Sequence, residues 1–227
     1  MIGGINFGYM FSLIAASLVF DFEPIGPLQI LVFNLVNDCA CIFIAFDKVE
    51  DEYVRTPRNW DPQNLRTVFM GWGPMCCVTD AISWLFFAFV VLPATGLVDN
   101  GWQVFTGGIN EDSNPVAVYV FETLWCIEQY WMQVWAIHIV RNNKMPFFQS
   151  WSAPILVATT IIALALGTII PFTPVGDAIL GYDLNFAGII GPVWWAMLIM
   201  PAIAVIYFTI SHLAKQRVIR KHGFFAC

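Results

Sequence analysis

The sequence predicts an all-α, polytopic membrane protein with six transmembrane helices and both termini on the cytoplasmic side. Three observations carry this. Apolar residues make up 59% of the 227 and charged residues 11%. A soluble domain carries about 25% charged residues, so lipid must be the main solvent here. Six apolar runs reach, or nearly reach, the roughly 20 residues that cross a hydrocarbon core as a helix. All ten Lys and Arg fall in three places: Lys48 to Arg66, Arg141 to Lys144, and Lys215 to Lys221. These are alternate connections plus the tail, the pattern of bases held on the cytoplasmic side.

Taken in order, the first run is Met1 to Phe20, with Asn6 inside it, and it stops at Asp21-Phe22-Glu23-Pro24. Its start close to residue 1, without a basic leader, reads as a chain cut from something longer. The second run is Leu28 to Phe46. The third is Val68 to Ala94, with an interruption expected at Gly73-Pro74. The fourth is Val116 to Val140. The fifth runs from Trp151 to Ile170 and is stopped by Pro171; the sixth, Phe186 to Ile210, contains Pro192 and Pro201 as expected kinks. The connections without bases carry Asp21, Glu23, Asp99, Glu111, Asp112, Asp177 and Asp183. No internal repeat divides the chain, so residues 1–227 read as one membrane domain.

Several function classes drop out. A sequence pI of 4.8 argues against nucleic acid as partner, which calls for a basic stripe. Five of the six cysteines lie in apolar runs, where cysteine behaves as a small hydrophobe. Cys39 and Cys41 leave a helix about 200° apart, so no thiolate site is expected from them. Neither a G-x-x-x-x-G-K-[ST] loop nor an H-E-x-x-H pair occurs. No catalytic residue, cofactor-binding residue or ATP site is therefore assigned.

What remains is a set of polar groups at membrane depth. A carboxylate in a span costs about 2.5–3.5 kcal/mol on translocon scales, yet Asp38, Asp80, Glu122 and Glu128 all lie in spans that hold no Lys or Arg to pair them. Asp38, Asp80 and Glu128 sit near the middle of their runs, as does Tyr9. Asn34, Asn37 and Asp38 stand at i, i+3 and i+4 on one helix face. Two amide oxygens and a carboxylate at that spacing suit a hard cation such as Mg²⁺ or Ca²⁺; the plainer alternative is a polar seam between helices. On the fourth run Glu122, Gln129 and Gln133 form one stripe, and Glu128 is turned about 100° from Gln129. Asp80 reads equally well as a structural acid bonded near Thr79, and His138 as an interface histidine.

Several stretches resemble P-type cation ATPases. Asn34-Leu35-Val36-Asn37-Asp38 is similar to the N-L-x-x-D segment of their sixth membrane helix, and Asn6-Phe7-Gly8 to the N-F-G of the helix before it. Phe46 to Glu52 and Arg55 to Asp61 resemble the following cytoplasmic loop. Gly73-Pro74 with Asp80 resembles the seventh helix, and Trp125-Cys126-Ile127-Glu128 with Gln133, His138 and Arg141 the eighth. Pro146-Phe147-Phe148-Gln149-Ser150 and Pro171-Phe172-Thr173-Pro174 are most similar to the bacterial magnesium-importing subfamily. Tyr9 stands where related pumps often have Asn or Glu, and Asn37 resembles the polar residue of calcium pumps at that place.

The resemblance implies the last six of ten membrane helices of such a pump, in the cell membrane. It implies a metal site on Asn6, Asn34, Asn37, Asp38 and Glu128, with Mg²⁺ as the transported divalent cation. The D-K-T-G-T, T-G-E-S and G-D-G-x-N-D motifs of the family do not occur. ATP hydrolysis is therefore expected from a separate segment or chain that carries the first four helices and the cytoplasmic domains. The other expectation is a non-catalytic assembly module, or a degenerate pump fragment with a vestigial site.

Overall fold

The structure is a computed structural model of the chain, and it describes residues 2–48, 62–140, 144, 146–147, 150–176 and 185–222. Nine α-helices occur among them: α1 Ile2–Val19, α2 Pro27–Ile42, α3 Pro62–Phe86, α4 Leu92–Thr95, α5 Trp102–Phe105, α6 Pro115–Val140, α7 Pro154–Ile169, α8 Phe186–Ile190 and α9 Ile199–His222. A 3-10 turn, Phe43–Phe46, prolongs α2, and another, Ile170–Phe172, prolongs α7. A π-helical turn, Phe87–Val91, joins α3 to α4. No β-strand is present among the described residues.

Proline sets the starts. Helices α2, α3, α6 and α7 each open on Pro27, Pro62, Pro115 or Pro154, where a fixed φ is already helical and the missing N–H was an orphan anyway. Asn114 caps α6 by accepting from the Ala117 N–H at 3.2 Å, and its own amide donates to Leu97 O at 2.8 Å. Gly96, at φ 73°, closes α4 in the left-handed conformation that glycine adopts freely.

Two proline expectations divide. Helix α3 runs unbroken through Gly73-Pro74, which corrects the expected interruption; neighbouring helices can re-satisfy a backbone group freed by proline. At Pro192 the chain does bend: Gly191–Leu198 is 3-10 helical, with Val193 at φ −114° and ψ 30°. Pro201 lies in the first turn of α9, where proline is tolerated.

By length and composition, four helical stretches among the described residues can cross a membrane: Pro27–Phe46, Met75–Ala94, Pro154–Phe172 and Phe186–Arg217. Asn6–Val19 is apolar but shorter. Helix α6 is not of that class, and the reason is its place. Residues 121–130 are all buried, so α6 is the axis around which the others pack. A helix that meets protein on every side can carry Glu, Gln and His where a lipid-facing one cannot.

Helix α1 lies along α3, α9 against α6 and α3, and α2 against α6 and α7. An aromatic cluster fastens one end of this bundle. Phe20 packs on Phe22 and Trp84, ring centroids 5.2 Å apart in both cases, and on Phe121 at 5.0 Å. Trp84 packs edge-on against Trp125 at 5.1 Å.

The opposite end is tied by polar contacts from the basic segments. Lys215 is buried and donates to Ile139 O at 2.7 Å, a carbonyl at the end of α6, and to Lys144 O at 3.3 Å in the connection beyond it. Asp47 accepts from the Ala153 N–H at 2.7 Å. Lys48, Lys144 and Lys215 therefore share one end, while Asp21, Glu23, Glu111 and Asp112 share the other. Most of the Lys48–Arg66 loop, and Asp177 and Asp183, lie outside the described residues.

Candidate functional site

Three helices bring amide groups together midway along the bundle. Gln133 on α6 donates through Nε2 to Asn34 Oδ1 on α2 at 3.0 Å, and reaches Asn6 Oδ1 on α1 at 3.4 Å. Two of the residues named from the sequence, Asn6 and Asn34, thus meet at a third that was not in the named set. Its signal was present in the Glu122, Gln129, Gln133 stripe.

Helix α2 fans the rest of its polar group across its boundary with the surroundings. From Asn34, Asn37 lies about 60° to one side and Asp38 about 40° to the other, at 100° per residue. Asn37 is buried, its amide directed at Cys41 Sγ, 3.7 Å away, and its Oδ1 without a hydrogen-bond partner. Asp38 is exposed. It shares its outer flank with Leu31, Leu35 and Ile42, each about two-thirds exposed (64–66%).

Glu128 leaves α6 about 140° from Gln133, five residues on at 100° each. Asp80 on α3 lies close enough to act on it electrostatically, and no hydrogen bond joins it to Asn6 or Asn34. Asp80 and Glu128 are fully buried, and none of their four carboxylate oxygens has a hydrogen-bond partner. Ser12 and Gln129 stand beside Asp80, and Ser83 beside Glu128, without closing a bond to them. The hydroxyls are spent elsewhere: Ser12 across to Cys77 Sγ on α3 at 3.6 Å, Thr79 on Met75 O at 3.1 Å, Ser83 on Thr79 O at 3.3 Å. Asp80 is therefore not held by Thr79. Buried carboxylates in this state call for a counter-group such as a cation or ordered water.

The polar groups thus form two neighbouring sets, an amide set at α1, α2 and α6 and a carboxylate set at α1, α3 and α6. Among the described residues no three His, Cys, Asp or Glu side chains converge as a metal centre would require. His138 lies apart from both sets. It is buried between α6 and α7, with Nδ1 2.8 Å from Ser152 Oγ and Nε2 2.9 Å from Thr160 Oγ1.

The family description "Cation transporting ATPase, C-terminus" matches residues 22–216. The chain belongs to this family. It is also similar to "Magnesium-transporting ATPase, P-type 1" of Salmonella typhimurium strain 14028s, at 28% identity over 218 residues, which is 96% of this chain and 21% of the relative. The Escherichia coli K12 protein of the same name is 27% identical over the same lengths. One in S. typhimurium LT2 is 31% identical over 171 residues, 75% of this chain and 17% of that one. The chain thus spans about a fifth of the length of the relatives it matches. The four helical stretches long and apolar enough to cross a membrane lie within or across this matched C-terminal part.

Proposed function

We propose that this chain is the membrane cation-binding half of a P-type ATPase for a divalent cation, Mg²⁺, embedded as six spans in the cell membrane with both termini cytoplasmic. The ATP-hydrolysing domains and the remaining helices lie outside residues 1–227, on the same polypeptide or on a partner chain. Asn6, Asn34, Asn37 and Asp38 supply oxygens to the cation on the face of α2, with Glu128 as a buried carboxylate behind them.

The observation that carries this reading is the position of Asp38. It is exposed near the middle of the Pro27–Phe46 stretch amid Leu31, Leu35 and Ile42. A carboxylate at that depth facing lipid costs about 2.5–3.5 kcal/mol. A protein surface bearing further ligands would remove that cost, and the relatives have four-fifths of their length to supply it. The collection of Lys48, Lys144 and Lys215 at one end supports the orientation. Mg²⁺ takes near-octahedral oxygens at about 2.0–2.1 Å and keeps several waters, which amides and one or two carboxylates can satisfy. The relatives' names specify magnesium.

The test is isolation of the protein from its own membranes together with whatever it is joined or bound to. A D-K-T-G-T-bearing segment that forms a phosphoenzyme is expected, and in the reconstituted whole protein Asp38→Asn should abolish cation transport while insertion persists. Isolation of this chain with no such segment would leave the assembly module as the correct reading.

A further inference from the structure

Ring contacts fix the register between α3 and α6. Phe87 meets Phe121 with centroids 6.1 Å apart, Trp84 meets Trp125 at 5.1 Å, and Met75 and Cys76 pack in one cluster with Met132 and Ala136. Positions descend on α3 as they ascend on α6, so the two helices run antiparallel. Asp80 lies seven residues before Phe87, and Glu128 seven after Phe121. Seven residues advance a helix by about 10.5 Å and turn it to within about 20° of two full turns. The two acids therefore stand at one level, each close to the face that makes the Phe87–Phe121 contact. The Trp84–Trp125 contact, four residues from Asp80 and four from Gln129, brings Gln129 to that level as well.

This level is closed along the bundle. Trp84 and Trp125, 5% and 0% exposed, cover it on one side, and Met75, Cys76, Met132 and Tyr207 cover it on the other. Asp80, Glu128 and Gln129 are 0%, 1% and 8% exposed. None of the four carboxylate oxygens, nor Gln129 Nε2, has a hydrogen-bond partner. No Lys or Arg lies within ten residues of either acid in the sequence. Surface acids are satisfied by bulk water, but buried groups left open like these call for a ligand.

The hydroxyls nearby indicate the sign of that ligand. Ser12 on α1 donates to Cys77 Sγ, and Thr79 and Ser83 on α3 donate to Met75 O and Thr79 O. All three are buried. The acids gain no proton from them. A hydroxyl whose proton is spent elsewhere still keeps lone pairs, so a cation between the acids would gain oxygens. Ser83 lies one turn beyond Asp80, and Ser12 reaches the turn before it through Cys77.

We infer that Asp80 and Glu128 bind one divalent cation of the Mg²⁺ class between α3 and α6, with Gln129 and the Ser12 and Ser83 oxygens around it. Two carboxylates balance a charge of 2+. Mg²⁺ is bound through one or two carboxylates and keeps several waters, so the pair needs no third acid, unlike a closed zinc centre with its four ligands. The inference rests on the transport reading for the class of ion. It gives Glu128, the carboxylate behind the Asn34 and Asp38 set, a partner of its own. This station lies wholly within the chain, whereas the face of α2 is open to ligands from outside it.

The probe is Mn²⁺ on the full chain in phosphatidylcholine nanodiscs, followed by electron paramagnetic resonance. One Mn²⁺ per chain is expected to survive brief passage over a chelating resin, because a buried ion exchanges slowly, and to leave on long incubation with Mg²⁺. Asp80→Asn and Glu128→Gln, near-isosteric changes on different helices, should each weaken binding at least tenfold. Asp99→Asn, an exposed acid of a connection, should leave it unchanged. The wild type alone supplies a second reading: Fe²⁺ with ascorbate and peroxide should cut the backbone near residues 80 and 128. No retained Mn²⁺, equal retention in the wild type and both variants, or cuts only elsewhere would overturn the inference. So would loss in Asp38→Asn with retention in Asp80→Asn, which places the ion on α2. The transport reading fails separately, through unimpaired transport by Asp38→Asn in the whole protein.

Discussion

Gly167 on α7 is the point where a single methyl group tests the architecture around the amide set. A Cβ there would overlap Cδ1 and Cε1 of Tyr130 and stand 2.9 Å from its Cζ, against about 3.5–4.0 Å for a carbon pair at its optimum. The ring has nowhere to go. Tyr130 is 1% exposed and packs on Phe33 of α2, 5% exposed, with centroids 5.1 Å apart. Helix α7 is pinned beside the contact, because Trp131 Nε1 donates to Thr168 Oγ1 at 2.9 Å. Gly167→Ala therefore overpacks a closed site, and the expected loss is about 1–3 kcal/mol. Unfolding in mixed micelles with rising dodecyl sulfate, followed by tryptophan fluorescence, measures it. Tyr130→Leu removes the overlapped atoms, so in that background the alanine should cost less than about 0.5 kcal/mol, a coupling typical of residues in contact. An unchanged midpoint for Gly167→Ala, or the same loss with and without the Tyr130 ring, would refute the packing account.

Three further outcomes are expected. In a double-mutant cycle, Gln133→Leu and Asn34→Leu should show a coupling of about 0.6 kcal/mol and no more than about 1.7, the range of hydrogen bonds between membrane helices; zero coupling would remove the bridge. His138→Leu leaves the Ser152 and Thr160 hydroxyls without their shared partner and should destabilise the protein by about 1–3 kcal/mol, read as a lower thermal midpoint, with His138→Gln recovering part of it. With the native cysteines removed, an impermeant thiol reagent applied outside should label a cysteine at Asn110 and miss one at Asn59, a position outside the described residues; the reverse pattern would invert the topology.

Much of the helix layout was legible because proline and apolar length write it plainly. Pro27, Pro115 and Pro154 open helices within a few residues of the apolar runs read from the sequence, and the bend at Pro192 followed from the same chemistry. Gly73-Pro74 misled, since a breaker in water is tolerated where packed neighbours replace its lost bond. The site was legible in its parts. Asn34, Asn37 and Asp38 do lie within one arc of α2, but an arc of about 100° is wide enough to run from buried to exposed. Which edge faced outward depends on where α6 and α7 pack, and no local pattern states that. Gln133 stood in the stripe of Glu122 and Gln129 rather than in the named set, because its reach to Asn34 depends on how α2 packs against α6. Glu128 was assigned to the amide group by depth along its helix, whereas its direction around the helix takes it to Asp80.

The exposed stripes of α1 and α2 differ in a way that bears on what surrounds them. Met10, Ile14 and Leu18 give α1 an outer face exposed to 60%, 62% and 83% and free of charge, which suits acyl chains. The stripe of α2 is equally apolar in Leu31, Leu35 and Ile42 but has Asp38 set among them. Lipid tolerates the first face and penalises the second. Helices contributed from outside residues 1–227 would therefore settle against α2 rather than the outer side of α1, and they would meet it at the turn where Asn34 and Gln133 are joined. On that geometry the Asn34 and Asn6 oxygens, now accepting from Gln133, lie at the edge of the covered face. A cation arriving there would compete with the Gln133 amide for them. Under the proposed cation site, Gln133 would hold these two oxygens in place while the cation is absent, a role that an apolar residue of the same size could not fill.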